Sequence, residues 1–342
     1  MNQKNSVLGG IFLLLVALLP LFSFAQQPEP TIPPVEKVER QLSTAEAEFD
    51  LARKMFNPWY AGPLLTPGAH NAAPGHFVTQ GYLYFISTFA KFNNDRNAKS
   101  IPNIFTFKPV FVYQMGLFSW LDFTAVLQAV YNSQKGRHSF DVTDTSISFG
   151  FPLMRETPYQ PAVRFVVSET FPTGRYQNLS PKKNGLDATG IGSYQTGFSL
   201  NISKVVWWIL THPMAFRGSV NYTVPSIVHV SGLNAFGGGH GTRGKVHPGD
   251  SISVDVAGEY SFTQSWVIAC DLAYTYQRHS TFSGRRAGAV VGGPSNDQLS
   301  LAPEIEYNPS GNLSFLLALW FTLTGRNSSD FASAVLSASY SW

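Results

Sequence analysis

The last twelve residues, read alternately, split into an apolar set and a mostly small polar set. Ala332, Ala334, Leu336, Ala338, Tyr340 and Trp342 form one set; Phe331, Ser333, Val335, Ser337, Ser339 and Ser341 form the other. A strand sends these sets to opposite faces, one apolar and one mostly hydroxylic. The same theme recurs from His76 onward in segments divided by turn residues. About twelve are expected, at roughly 76–92, 103–117, 120–133, 138–153, 160–172, 189–204, 211–225, 249–263, 264–278, 296–308, 311–325 and 329–342. Clear apolar faces include Phe123, Ala125, Leu127, Ala129 and Tyr131, and Leu313, Phe315, Leu317, Leu319, Phe321 and Leu323. Others are Ile252 to Phe262 and Trp266 to Tyr276, taken alternately. The first segment, Phe77 to Phe92, is apolar on both faces, so its register is not assigned.

The connections alternate in length. Gly116–Leu121, Met154–Pro161, Ser203–Leu210, Phe262–Ser265 and Asn308–Asn312 are short. Three long polar loops, Thr173–Ala188, Ser226–Pro248 and Thr281–Ser295, all follow odd-numbered strands. A transmembrane barrel entered from the periplasm has short periplasmic turns and longer outer loops. A soluble sandwich has no reason to keep that parity. Trp120, Trp207, Trp208, Trp266, Tyr307 and Trp342 fall near the expected periplasmic strand ends, where an aromatic girdle belongs. The expected fold is therefore all-β: a transmembrane antiparallel up-and-down β-barrel of about twelve strands over 76–342, preceded by a short N-terminal helix.

The stretch before the barrel divides in two. Residues 1–25 carry Lys4, the apolar run Ile11–Leu19 and small residues at Ser23 and Ala25, which read as a secretory signal peptide. Residues 26–75 read as a Pro-rich periplasmic leader. Within it, Ser43-Thr-Ala-Glu46 resembles a capping box, and Leu42, Ala45, Phe49, Ala52 and Phe56 recur at helical spacing. This predicts an amphipathic helix over about 43–56, packed on the barrel rim or entering the lumen as a plug. Asn57–Gly75 reads as a Pro/Gly-rich connector.

Composition supports an exported membrane barrel. Charged residues are 13% and aromatics 14%, while no apolar run after residue 25 is long enough for a membrane helix. A net charge of +3 argues for neither nucleic acid nor an acidic partner. The one cysteine, Cys270, excludes an intrachain disulfide and sits among apolar strand positions as a small hydrophobe.

Leu299-Ser-Leu-Ala-Pro-Glu-Ile-Glu-Tyr-Asn308, then Trp320-Phe and Gly325-Arg-Asn-Ser-Ser, resembles outer-membrane transporters filed under a "MetA-pathway of phenol degradation" heading. Pro58-Trp-Tyr-Ala-Gly-Pro-Leu-Leu-Thr-Pro67 resembles the segment before the barrel in some of these proteins. The resemblance covers the last 45 or so residues most closely. It implies a Gram-negative outer-membrane protein with a transport role. Trp342 resembles the terminal aromatic that such barrels present to the barrel-assembly machinery, a partner implied by the resemblance. No phenol chemistry is carried over.

If the apolar faces meet lipid, the opposite faces line the lumen. The expected lining residues are Lys108, Arg164, Arg217, Asp255, Glu259, Asp271, Glu304, Glu306 and Trp320. Basic residues cluster on early strands and acids on later ones, so closure is expected to bring them face to face. They would form an ion-pair network filling the lumen or a polar constriction selecting solutes. No catalytic group, metal set or cofactor is expected. The histidines show no HxxxH or HExxH spacing, and Gly239–Lys245 mimics a phosphate loop but is followed by Val246 and fits a flexible outer loop. The expected function is passage of small solutes, hydrophobic or aromatic ones among them, through a narrow polar lumen in contact with outer-membrane lipid. The alternatives are a closed barrel whose loops bind a partner, and a lipid-acting barrel enzyme.

Overall fold

The computed structural model describes residues 35–55, 60–209 and 212–342, with side chains omitted for 48–55 and 208–209. The expected signal peptide, residues 1–25, falls outside this set. The helix α1 spans Val35–Met55, so it begins eight residues before the expected start. Pro33 and Pro34 precede a run of good helix formers, and a proline suits a helix start. Ser43 is therefore mid-helix, and Thr44 Oγ1 bonds back to the Arg40 carbonyl at 2.8 Å.

Sixteen strands follow: β1 Phe77–Phe92, β2 Ala98–Phe118, β3 Leu121–Gln134, β4 Arg137–Val142, β5 Thr145–Met154, β6 Ala162–Phe171, β7 Gln195–Ile209 and β8 His212–Pro225. Then come β9 Val228–Ser231, β10 Arg243–His247, β11 Ser251–Ser261, β12 Trp266–Gln277, β13 Thr281–Arg285, β14 Asn296–Tyr307, β15 Leu313–Arg326 and β16 Ser329–Ser341. All but β9, β10 and β13 join one antiparallel sheet, which the β1–β16 and β2–β3 pairings close on itself. The pieces β4 and β5 are one wall strand interrupted at Thr143 and Asp144, so the barrel has twelve strands. At the break, Asp144 leaves the ladder and accepts the Gly174 and Ile191 N–H groups.

Closure fixes the register that the alternation of β1 leaves open. Leu83 opposes Leu336 and Phe85 opposes Ala334, while Tyr82 opposes Ser337 and Tyr84 opposes Val335. The first two pairs lie on the exposed face with Phe111, Leu127, Ile268, Leu272, Leu317 and Leu319. So broad an exposed apolar belt marks the lipid-facing wall of a transmembrane barrel. The short-turn end, periplasmic in such a barrel, carries the girdle: Phe118 stacks on Trp120 at 5.4 Å and Phe77 on Trp342 at 5.9 Å, and Trp266 lies tilted against Tyr307 at 4.6 Å.

Several spans differ from expectation, and β2 begins at Ala98 instead of 103. β7 runs over Gln195–Ile209 instead of 189–204, because Ile191 is held by Asp144 and Gly192 takes a φ of +73°. Its far end stays paired to β8 as far as Ile209–His212. The outer loops are not loose either. β9, β10 and β13 form a three-stranded sheet, and Gly239–Lys245, expected as a flexible loop, runs into its central strand. Buried Val228, Val230, Val246 and Val291 hold it together, with Tyr176, Phe236 and Phe282 packed against them.

At the outer end one buried acid joins two strands and a turn. Asp297 of β14 pairs with Arg96, in the β1–β2 turn, at 2.7 Å and with Arg326 of β15 at 3.1 Å. Both arginines are partly exposed, which discounts each bond. Asp297→Asn is expected to cost about 2 kcal/mol. The check is heat-modifiable gel migration in detergent, where the folded band should disappear at a lower temperature than in the wild type.

A chain segment held inside the barrel

The alternation of β11, β12 and β14 puts Asp255, Glu259, Asp271, Glu304 and Glu306 on the face opposite the exposed apolar residues. A buried carboxylate needs donors, and no cation stands on these strands. The donors come from the connector. Ala61 N–H donates to Glu306 Oε2 at 2.8 Å, and Leu64 N–H to both Glu304 oxygens at 3.0 Å. Leu65 and Thr66 N–H groups donate to the two Asp271 oxygens at 2.9 and 3.0 Å, and Thr66 Oγ1 donates at 2.6 Å. Pro63 and Pro67 bracket these three consecutive donors and fix the backbone on either side of them.

The segment then descends along the opposite wall. Ala69 N–H bonds Ser203 Oγ at 2.9 Å, Asn71 Nδ2 donates to the Gly150 carbonyl at 2.8 Å and Ala72 N–H donates to Asp122 at 3.2 Å. Glycines make the close passages. A Cβ at Gly116 would lie 1.9 Å from the Ala73 carbonyl oxygen, and one at Gly62 or Gly68 would lie 2.9 Å from the Arg217 guanidinium. Leu64 sits in the inner apolar cluster of Ala302, Leu316, Ala318 and Val335, against which Leu65, Tyr82, Tyr84 and Trp320 also pack.

The cations pair locally. Arg217 binds Glu259 of the adjacent strand through two hydrogen bonds of 2.7 and 3.1 Å. Arg164 pairs with Asp122 at 2.5 Å across Gly150, where any side chain would collide with both. Basic and acidic clusters therefore do not meet across an empty lumen. The connector stands between them and takes up the surplus acids.

The nine residues named from sequence fall as follows. Arg217, Glu259, Asp271, Glu304 and Glu306 surround the segment, and Arg164 reaches it through Asp122. Asp255 lines a chamber of about 810 Å³ left between the segment and the wall, with Gln80, Gln114, Ser199, Asn201 and Asn221. Trp320 donates from Nε1 to Ser300 at 3.0 Å and packs edge-on against Phe331. Lys108 stands apart on β2, opposite Tyr84. Sequence reasoning missed Leu64–Thr66, Asp122, Ser203 and Glu156. The available signal was the excess of inward acids over inward cations on β11–β14, which calls for donors from elsewhere.

No protein-family model matches this sequence, and neither does any curated protein sequence. Among solved structures, the COG4313 outer membrane channel from Pseudomonas putida F1 is similar with a TM-score of 0.65 at 13% identity, over 82% of this chain and 100% of that one. The beta domain of the Bordetella autotransporter BrkA gives a TM-score of 0.45 at 9% identity, over 79% and 100%. At these identities the first likeness speaks for the barrel fold.

Two outcomes follow from the contacts. Asp271→Asn turns one acceptor into a donor facing an N–H, at an expected cost of about 2 kcal/mol in segment docking. Thiol labelling of Leu65→Cys in a Cys270→Ser background should then become faster. The second concerns Glu156 in the β5–β6 turn, 3.3 Å from His70 and 3.7 Å from Lys204. Burial alone would raise its pKa, but the His70 ring, the Val205 N–H and the Lys204 ammonium outweigh this and hold it below the ordinary value. A depressed carboxylate stabilises the docked state above its unfolded pKa and loses that contribution as pH falls through its folded value. Hydrogen exchange around His70 should stay slow at neutral pH and accelerate below about pH 4.

Proposed function

We propose that this protein is an outer-membrane channel for small solutes in which residues 60–75 are a withdrawable plug. The observation that carries this reading is how the lumen is filled. Its occupant is a chain segment joined to the wall chiefly by hydrogen bonds, each of which water can replace once the segment moves. An eight-stranded barrel is filled by its own side chains, whereas twelve strands leave room for such a segment and for solute.

The wall suggests the kind of solute. One side of the lumen presents Gln114, Ser199, Asn201 and Asn221. The other presents Tyr82, Tyr84 and Trp320 beside Leu316 and Val335, now covered by Leu64 and Leu65. Withdrawal joins the two sides into one amphipathic path, suited to a compact solute with an aromatic or apolar body and a polar group. Edge and face contacts with the three aromatic rings would guide the body, and the amides would replace water around the polar group.

A reversible lock tests the reading. Thr66→Cys with Asp271→Cys, in a Cys270→Ser background, places two thiols where the wild-type side chains are in hydrogen-bond contact. In liposomes the reduced protein should pass a small aromatic alcohol faster than a sugar of equal size. Oxidation should stop both. Equal flux through the oxidised and reduced forms would sink the plug reading.

A further inference from the structure

The small outer sheet prolongs the barrel wall. β9 follows β8, β10 leads into β11 and β13 follows β12, and the lateral order β9–β10–β13 repeats the order β8–β11–β12. Its two faces differ sharply. Val228, Val230, Val246 and Phe282 belong to the buried face, and His229, Arg243, Lys245, His247, Ser283 and Arg285 are exposed.

The loop between β6 and β7 fixes which way each face looks. Its Tyr176 packs against the valine cluster, and its Asn178 N–H bonds the Ser231 carbonyl. Its Leu186 carbonyl accepts a hydrogen bond from Asn132 Nδ2 of β3, which lies four places around the twelve-strand ring from β8, the strand that β9 continues. Asn132 belongs to the inward-facing set of β3, along with Asp122 and Thr124. The loop thus crosses the barrel mouth, the valine face looks over the mouth, and the polar face looks away from it.

That outward face is cationic without relief. Residues 226–249 and 278–295 contain Arg243, Lys245, Arg278, Arg285 and Arg286 and no Asp or Glu. Arg243 and Arg285 are directly opposite in the ladder, and Lys245 lies opposite His229. Like charges directly opposite destabilise a sheet. Of the five cations Arg278 meets a carboxylate, Asp250, at 3.6 Å; Arg243, Lys245, Arg285 and Arg286 meet none among the described residues. The face also begins close to the lipid belt: exposed Ile227 precedes His229 by two residues, about 7 Å of extended chain. The headgroup layer on each side of a bilayer has a similar thickness.

We propose that the outward face of β9, β10 and β13 binds the phosphorylated headgroup of an outer-leaflet glycolipid. Phosphate oxygens bridging Arg243 and Arg285 would turn a repulsive cross-strand pair into two charge-assisted contacts, with Lys245 as a further donor. A headgroup fits better than a soluble anion because the face turns from the lumen mouth toward the surrounding leaflet. The role is separate from the plug and does not rest on the channel reading.

The test uses the full-length protein purified in detergent and mixed with bicelles containing fluorescent lipid A, either bisphosphorylated or enzymatically dephosphorylated. The wild type should bind the phosphorylated form much more tightly. Arg243→Gln/Lys245→Gln/Arg285→Gln should weaken that binding on the order of 100-fold while leaving the dephosphorylated form unaffected. Heat-modifiable migration reports whether the variant folds, and Arg285→Gln alone, with a smaller loss expected, serves if the triple variant does not. Equal affinity of the wild type for both glycolipids overturns the proposal, as does a folded variant that binds as the wild type does. Complete displacement of the lipid by millimolar inorganic phosphate would also overturn it, because the site would then be a simple anion site.

Discussion

The structure turns on an imbalance of charge inside a closed wall. Period-two alternation forces every inward residue of β11, β12 and β14 into the lumen, and these strands bring five carboxylates there. Arg217 satisfies Glu259 alone by direct pairing. Glu304, Glu306 and Asp271 are left needing donors in a place where an uncompensated charge is costly. Backbone N–H groups are a suitable answer. They neutralise no charge outright, they carry no side-chain entropy, and a proline-bracketed stretch can present several in a row. The connector is drawn into the barrel by the acids; its own glycines let it pass Arg217 closely, and Gly116 of the wall lets Ala72 and Ala73 pass.

The wall makes this arrangement exact enough to work. Pairing of β1 with β16 over Val78–Lys91 sets the height of every inward residue around the ring. The girdle of Phe77, Trp120, Trp266, Tyr307 and Trp342 sets the depth of the ring in the membrane. Asp144 shows the same economy at the other end. One break in a wall strand frees a carboxylate that ties down Gly174 and Ile191, and so fixes the loop that crosses the mouth.

Much of the wall was legible because alternation and loop parity are local signals. The apolar faces of β12, β15 and β16 could be read residue by residue, and the parity of the three long loops assigned the two ends. The segment over Tyr60–Gly75 was not legible in the same way. It has no periodicity, and its meaning lies in groups more than 200 positions away, such as Asp271 and Glu304. Gly116 and Gly150 read as ordinary strand glycines until the atoms that crowd them are known. The outer sheet was hidden for another reason: its strands are four or five residues long and sit inside stretches rich in glycine, which read as loop.

The two ends of the lumen are closed by different physics, and the difference bears on which end moves. At the outer end, four buried valines and three aromatic neighbours bind the loops to one another. Opening that assembly would expose apolar surface to water, which costs free energy in proportion to area. At the periplasmic end, the plug contributes two leucines to an apolar cluster and is otherwise attached by hydrogen bonds to carboxylates, a serine and backbone groups. Water can replace those bonds on both partners as the segment leaves, and the freed carboxylates regain hydration in a chamber already lined by amides and hydroxyls. The acids that hold the plug thus also lower the cost of its departure, since a polar lumen stays favourable when wet. An apolar plug seat would lack that property, so on the proposed reading the segment that withdraws is the periplasmic one, while the outer sheet stays in place.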